Sequence, residues 1–231
     1  MSDSVLQINV RRLREFFDEK VKGSEKHATA IASVCGEDLG CGLLKHYFEA
    51  HGASVEVRPE PVVPGGKKGP RLDRWMRVRS AAELGASDVL LQVEVKMWSA
   101  HAIGGESLPL RAMSEQVAEY KVRSWQKEWD ETRGIKKESL SKVPQPMRPP
   151  ADLADIPVRL PLACMWTALH PDGGPACLFS VPLPEEQANH FSHVWFFSMS
   201  SYLRSLTEER IALVMPDATR RIRWLRELFG P

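Results

Sequence analysis

Apolar and polar positions alternate in the middle of the chain, in a pattern that predicts a strand. In VLLQVEVKMWS, residues 89–99, a row of aliphatic side chains alternates with a second row that contains Glu94 and Lys96. A strand this apolar is typical of a sheet that is covered on both faces. Because isolated buried charges are costly, the two charged residues need a partner, a solvent opening or a metal ion.

Further helices and strands are predicted on both sides of this segment. Before it, the pattern predicts an amphipathic helix over about 5–22, a long helix over 26–51 that Gly52 ends, and strands over 53–59 and 71–78. After it, we expect a helix over 110–132, an exposed connection over 134–160, strands over 162–170 and 176–184, and helices over 185–206 and 217–229. Consecutive strands favour an antiparallel meander, and a helix before the next strand favours a crossover. A mixed sheet flanked by helices, within a single domain over 1–231, fits this order.

Three glycines interrupt the long predicted helix. Gly36, Gly40 and Gly42 each cost up to about 1 kcal/mol relative to alanine at a helix-interior position. Glycines there suit a helix that another backbone passes closely.

Composition narrows the class of protein only slightly. The chain has 231 residues, 43% hydrophobic and 26% charged, which is ordinary for a globular protein. The net charge of +1 excludes neither a nucleic acid nor an acidic partner. Four cysteines without a CxxC pair argue against a zinc ribbon or an iron–sulfur cluster. No apolar run approaches the about 20 residues that cross a bilayer, so we expect a cytoplasmic protein without a membrane partner.

Asp73, in the predicted strand 71–78, is the candidate partner of the charged row. If this strand pairs with the next, Asp73 lies beside Glu94. Two carboxylates a few Å apart repel, and a divalent cation is a common way to keep both ionised. Oxygen ligands without His or Cys suit Mg²⁺ or Mn²⁺. The neighbouring Lys96 can then orient water and offset charge on a phosphoryl group.

Asp73 followed by Glu94-Val95-Lys96 resembles the motif of the PD-(D/E)XK nuclease superfamily. Downstream, QVAEY places Gln116 and Tyr120 one helical turn apart, which resembles the Gln-x-x-x-Tyr motif of RecB-type nuclease domains. The segment GPRLDRW is similar to the Gly-x-x-hydrophobic-Asp-Arg segment of that group, and CGEDLGCGLLKHYFEAHGASVEV to the superfamily's first helix and strand.

The resemblance implies a fold and an activity. The fold is α/β, a restriction-endonuclease-like mixed sheet with an αβββαβ core over 25–170. A helix within 1–24 precedes this core, and a strand and helices within 171–231 follow it. The implied activity is hydrolysis of phosphodiester bonds, in DNA, with Mg²⁺ or Mn²⁺. Repair, mobile-element processing and anti-phage defence are the settings that analogy suggests.

The resemblance also implies roles for individual residues. Asp73 and Glu94 bind the metal ion, the Val95 carbonyl is a further ligand, and Glu37 holds metal-bound water or a second ion. Lys96 acts on the water and the scissile phosphate.

Gln116 and Tyr120 complete the implied catalytic set. They orient the site or the DNA backbone.

Each of these residues also has a structural interpretation. Glu94 and Lys96 could form an exposed, alternating edge of a strand, Asp73 could pair with a neighbouring arginine, and Glu37 could be a surface residue. A competing class is an inactive scaffold that binds nucleic acid or protein, although a scaffold has no chemical need for Asp73, Glu94 and Lys96 together. An RNA-directed nuclease is a second alternative.

Basic residues cluster in two places outside the motif. They either solvate the surface or contact phosphates. The candidates for nucleic-acid contacts are Lys136 and Lys137 in the connection, and Arg220, Arg221 and Arg223 near Arg226 in the last helix. The sequence is also compatible with a homo-oligomer, or with a partner protein that supplies specificity.

Overall fold

The structure is a computed structural model, which describes residues 4–18, 25–59, 73–100, 143, 145–168, 170, 176–183, 188 and 190–230. The chain begins with strand β1 (Val5–Asn9), helix α1 (Val10–Asp18) and the long helix α2 (Glu25–Ala50). Strands β2 (Ser54–Pro59), β3 (Arg74–Ala81) and β4 (Ala86–Ala100) follow. The remaining elements are β5 (Val158–Ala168), β6 (Leu178–Pro182), β7 (His193–Ser198), α3 (Met199–Ser205), β8 (Arg210–Val214) and α4 (Pro216–Phe229).

The central feature is a six-stranded mixed sheet in the order β2-β3-β4-β5-β7-β6. Strands β2, β3 and β4 form an antiparallel meander, and β4 pairs in parallel with β5. Strand β7 runs parallel to β5 and antiparallel to β6. Strands β1 and β8 form a separate antiparallel ribbon. The predicted mixed sheet flanked by helices is therefore confirmed, with the predicted meander and crossover around β4.

Each face of the sheet buries a different set of side chains. On one face, Val93 and Val95 of β4 join the apolar cluster to which α2 contributes Leu43 and Leu44. On the other face, the segment after residue 143 covers the sheet with Leu153 and Ile156. The amide nitrogen of Gln92 in β4 holds this segment in place, since it donates to the carbonyls of residues 143 and 145 at 2.7 and 2.8 Å.

Three predicted elements are wrong in part. Residues 5–9 form a strand instead of the start of a helix, because they pair with β8. The predicted helix over 185–206 contains β7, and among its described residues the helical part is α3. The connection over 134–160 is not uniformly exposed, since Val143, Leu153 and Ile156 are buried. The predicted helix over 110–132 lies outside the described residues.

The predicted helices over 26–51 and 217–229 are confirmed as α2 and α4. Gly52 follows α2 with a φ of +84°, a left-handed conformation that ends helices and favours glycine. None of the described helices is long and apolar enough to span a membrane.

Two of the glycines in α2 lie directly against β4. A Cβ atom at Gly40 would lie 2.6 Å from Cγ1 of Val95 and 3.2 Å from Sγ of Cys164, and one at Gly36 would lie 2.5 Å from Cγ of Met97. The expectation that another backbone passes the helix is therefore wrong at Gly36 and Gly40, where side chains of the sheet approach the helix backbone instead. At Gly42 the nearest atoms, in β8, are 3.4 Å away, which is ordinary contact.

Replacing Gly40 by alanine is expected to destabilise the fold. The added methyl group overlaps Val95, which is packed on all sides, so we expect Gly40→Ala to lower the free energy of unfolding by about 1–3 kcal/mol. Gly42→Ala is the matched control, since it adds the same methyl group to the same helix without overlap and gains up to about 1 kcal/mol of helix propensity. Urea unfolding of both variants tests the contrast, and equal effects of the two substitutions would contradict it.

Candidate functional site

The alternation along β4 places Glu94 and Lys96 on the face opposite α2. Val95 points at Gly40 of α2, so its two neighbours point away from that helix. Strand β4 is interior, between β3 and β5, and Glu94 is only 6% exposed. The interpretation of Glu94 as part of an exposed strand edge is therefore wrong.

Asp73 lies immediately before β3, next to this face of β4. Arg74 pairs with Val93, so Glu94 is next in register opposite Asp73. The amide of Asp73 donates to the carbonyl of Val93 at 3.2 Å, and its carboxylate Oδ2 accepts a hydrogen bond from the amide of Val95 at 2.6 Å. The two strands thus bring Asp73 to the Glu94-Val95-Lys96 segment.

The carboxylate of Glu94 is only partly compensated. One oxygen, Oε1, accepts a hydrogen bond from Nζ of Lys96, whose side chain is 23% exposed. The other oxygen, Oε2, is buried and has no hydrogen-bond partner among the described residues. An unpartnered buried carboxylate oxygen is costly, and a bound cation is one way to offset that cost.

The carboxyl group of Asp73 is also held in an unfavourable environment for charge. Burial and, next, the nearby Glu94 carboxylate raise the pKa of Asp73 from 3.8 to about 7, although the hydrogen bond from Val95 acts in the opposite direction. Asp73 therefore titrates near neutral pH as long as no cation lies beside the two carboxylates.

Arg74 has a different role from its neighbour Asp73, because it points to the opposite face, towards α2 and α4. Its guanidinium donates to Asp217 of α4 at 2.6 Å and to Asp38 of α2 at 3.2 Å. It also donates to the backbone carbonyl of Asp73 at 2.7 Å. The second oxygen of Asp38 accepts a hydrogen bond from the amide of Ala218 at 2.7 Å. This network fixes the backbone that carries Asp73.

Sequence reasoning did not find this network. The interpretation from sequence pairs a neighbouring arginine with the Asp73 carboxylate, whereas Arg74 contacts the backbone carbonyl of Asp73. The doublet Glu37-Asp38 inside an otherwise apolar part of α2 is a sequence signal for Asp38, but nothing local identifies Asp217 as its neighbour.

Glu37 lies beside this network instead of between the two site carboxylates. Its side chain is 54% exposed, and its Oε2 is 3.6 Å from Nη1 of Arg74. Its charge contributes to the raised pKa of Asp73, so it belongs to the electrostatic surroundings of the site.

The remaining predicted site residues divide into two groups. Gln116, Tyr120, Lys136 and Lys137 lie outside the described residues. The guanidinium of Arg221 donates to the carbonyl of Val34 in α2, so this arginine faces the protein. Arg220 pairs with Asp217 at 2.6 Å, and Arg223 lies 4.0 Å from Glu227.

The donor set at this site fits a hard divalent cation. Asp73 and Glu94 supply carboxylate oxygens, and Glu94 Oε2 is the buried atom that lacks a partner. Within the described ranges, no group of three or more His, Cys, Asp or Glu side chains is arranged to hold a metal ion. Mg²⁺ is commonly held by one or two carboxylates together with water and phosphate oxygens, so two carboxylates match its usual coordination.

The raised pKa of Asp73 predicts how stability depends on pH without metal. Between pH 4 and pH 7 the folded protein keeps a proton on Asp73 that the unfolded chain has released, so the free energy of unfolding falls as the pH rises through this window. We expect a loss of roughly 2–4 kcal/mol from this group between pH 4.5 and pH 8 in EDTA.

Asp73→Asn removes this titration, and the variant should therefore be more stable than wild type at pH 8 in EDTA. Urea unfolding at several pH values measures both effects. Asp88→Asn is the matched control, because Asp88 lies on β4 but pairs with Arg77 at 2.5 Å. An unchanged pH profile in Asp73→Asn would show that Asp73 does not titrate in this window.

Comparisons with protein-family models, curated proteins and solved structures found no match for the chain. The resemblance to nucleases therefore rests on the motif residues of the sequence alone.

Proposed function

We propose that the chain is a metal-dependent nuclease that hydrolyses phosphodiester bonds in DNA. The observation that carries this proposal is the convergence of Asp73, Glu94 and Lys96 at one end of two paired strands, with the buried oxygen Oε2 of Glu94 lacking a partner. Two carboxylates can hold Mg²⁺, and a neighbouring ammonium group can offset charge on a phosphate, so this set of side chains suits Mg²⁺-assisted phosphodiester hydrolysis.

Each residue of the site has a distinct task in this proposal. Asp73 and Glu94 would hold Mg²⁺ or Mn²⁺, and the ion supplies electrostatic stabilisation of the charge that develops on the phosphoryl group. Lys96 orients the attacking water and offsets negative charge on the scissile phosphate. The hydrogen bond from the Val95 amide fixes the Asp73 carboxylate, and the Val95 carbonyl is the candidate backbone ligand.

Glu37 is assigned a supporting task. In this proposal its half-exposed carboxylate, which lies beside Arg74, would bind metal-bound water or a second ion.

The order of elements supports a restriction-endonuclease-like core. Helix α2 precedes the antiparallel meander β2-β3-β4, and β5 lies parallel to β4 after residues 101–157. The described part of this order, a helix, three antiparallel strands and a parallel fourth strand, is compatible with the αβββαβ core that the motif resemblance implies, and the second helix of that core would fall outside the described residues.

An inactive scaffold is the second candidate function. The ion pair between Lys96 and Glu94 favours it, since this pair neutralises one carboxylate without any metal ion. Metal binding and cleavage separate the two candidates.

Binding of Mg²⁺ or Mn²⁺ is expected to stabilise the protein through Asp73 and Glu94. At a metal concentration about 100-fold above Kd, we expect Tm to rise by about 5 °C or more relative to EDTA. Asp73→Asn and Glu94→Gln should abolish the shift, because each removes a charged oxygen ligand. The control variant Asp88→Asn should keep it. A shift that survives both site substitutions would place the ion elsewhere.

Lys96→Ala is expected to lower the rate of metal-dependent cleavage by about 100-fold or more, because it removes a charge that stabilises the transition state. The assay uses linear duplex, circular duplex and single-stranded DNA, and RNA of the same sequence, with Mg²⁺, Mn²⁺ or EDTA. Lys96→Arg should retain part of the activity.

Lys45→Ala is the matched control, since Lys45 has a similarly buried side chain, 20% exposed, and pairs with Glu49 instead of a site residue. Cleavage of RNA in preference to DNA would assign the activity to an RNA-directed nuclease. No cleavage of any substrate by a protein that binds the metal would favour the scaffold.

A further inference from the structure

A groove lies between α4 and the start of β1, apart from the site carboxylates. Its volume is about 470 Å³. The residues that line it are Ser4, Leu6, Pro216, Thr219, Arg220, Ile222, Arg223 and Arg226. One wall is therefore a face of α4, and the other is the first residues of the ribbon formed by β1 and β8.

The lining of the groove carries three arginines. Arg220, Arg223 and Arg226 follow one another at three-residue intervals, so they lie along one side of α4. No Asp or Glu is among the described residues that line the groove. Arg220 has a close acidic partner in Asp217, whereas Glu227 is 4.0 Å from Arg223. The groove thus presents a row of guanidinium groups, the side chain best suited to phosphate oxygens.

An exposed aromatic ring lies next to this row. Trp224 is 50% exposed, and the guanidinium of Arg220 lies over its ring, 5.4 Å from the ring centre. Arginines combined with an accessible aromatic ring are typical of surfaces that bind single-stranded nucleic acid, where bases stack on the ring and guanidinium groups contact phosphates. A site for free phosphate alone has no use for the ring.

The groove is connected to the candidate site through the beginning of α4. Asp217 accepts a hydrogen bond from Arg74, and the amide of Ala218 donates to Asp38 of α2. Arg74 in turn bonds the backbone of Asp73. The row of arginines therefore begins within one helical turn of the residues that hold Asp73 in place.

We propose that this groove binds the sugar–phosphate backbone of a nucleic-acid strand and that Trp224 stacks on one of its unpaired bases. Arg220, Arg223 and Arg226 contact successive phosphates, whereas Arg221 faces α2 and takes no part. The inference rests on the proposed nuclease, since it names a surface that would hold the strand whose cleavage is proposed.

Binding is tested separately from cleavage, with the full chain in EDTA. Fluorescence anisotropy measures the affinity for a labelled single-stranded oligonucleotide of mixed sequence, and for the same sequence as a duplex, over a range of salt concentrations. We expect tighter binding of the single strand. The double variant Arg223→Ala/Arg226→Ala should bind it at least about tenfold more weakly, and its slope of log K against log salt concentration should be shallower by about 1.4, or 0.7 for each lost phosphate contact.

Matched variants distinguish binding in the groove from a general effect of positive charge on affinity. Arg11→Ala/Arg210→Ala removes the same charge away from the groove, from the first turn of α1 and from the start of β8, and it should leave the affinity within about twofold of wild type. Arg223→Lys/Arg226→Lys keeps the charge and should keep most of the affinity. Trp224→Ala should weaken binding of the single strand, and Trp224→Phe should restore part of it. Thermal unfolding checks that each variant is folded.

The outcomes separate this inference from the proposed function. If the wild type cleaves DNA with metal and the Arg223→Ala/Arg226→Ala variant binds the oligonucleotide as tightly as wild type, the proposed role of the groove is wrong. The proposed nuclease activity is not affected by that result. If the double variant loses binding but the wild type cleaves no substrate, the result supports nucleic-acid binding in the groove and contradicts the proposed nuclease activity. If the double variant loses binding to vesicles of anionic lipid while its oligonucleotide binding is unchanged, the groove is a lipid-headgroup site and the proposal is wrong.

Discussion

The close contact between α2 and β4 determines on which face of the sheet Glu94 and Lys96 lie. Gly40 leaves no room for a side chain at the point where Val95 meets the helix, so Val95 and its alternate neighbours occupy the space beneath α2. Because side chains alternate, Glu94 and Lys96 must then face the other side of the sheet. A slip of one residue would put Glu94 against the apolar cluster under α2, where an unpaired charge is very costly. The packing of a helix on a strand thus fixes the register, and the register fixes the candidate site.

The same alternation gives Asp73 and Arg74 separate tasks. Asp73 faces Glu94 immediately before β3, while Arg74 reaches to the opposite face and joins α2 and α4 through Asp38 and Asp217. Removing one member of a buried charge network typically costs about 3–5 kcal/mol, because the other members lose their compensation. Helix α4 belongs to the far end of the chain, yet its first turn helps to hold the backbone of Asp73. The site therefore depends on both ends of the sequence.

Sequence analysis found what local patterns determine and missed what distant partners determine. Strands β2, β3 and β4 follow one another along the chain, so their alternation and the spacing of Asp73, Glu94 and Lys96 predicted both the meander and the site face. Strand β1 has only five residues and becomes a strand by pairing with β8, some 200 positions away, as in the pair Ile8–Ile211. The apolar run HVWFFS fits a buried helix as well as a strand, and only its place beside β5 decides for the strand. The partners of Arg74 are equally distant, which is why its network was not predicted.

The charge balance around Glu94 and Lys96 in β4 is difficult to explain by folding alone. Two carboxylates share one ammonium group there, one carboxylate oxygen is buried without a partner among the described residues, and the pKa of Asp73 is raised to about 7. Asparagine in place of Asp73, or glutamine in place of Glu94, would remove the repulsion between the two carboxylates. The acidic pair therefore lowers the stability of the fold in a way that a purely structural role does not require. A divalent cation removes the cost. Together with the two carboxylates and Lys96 it leaves one net positive charge, which complements the single negative charge of a phosphodiester. The two carboxylates are unfavourable for the fold by itself, and together with Lys96 they would suit a site that binds a metal ion and a phosphate.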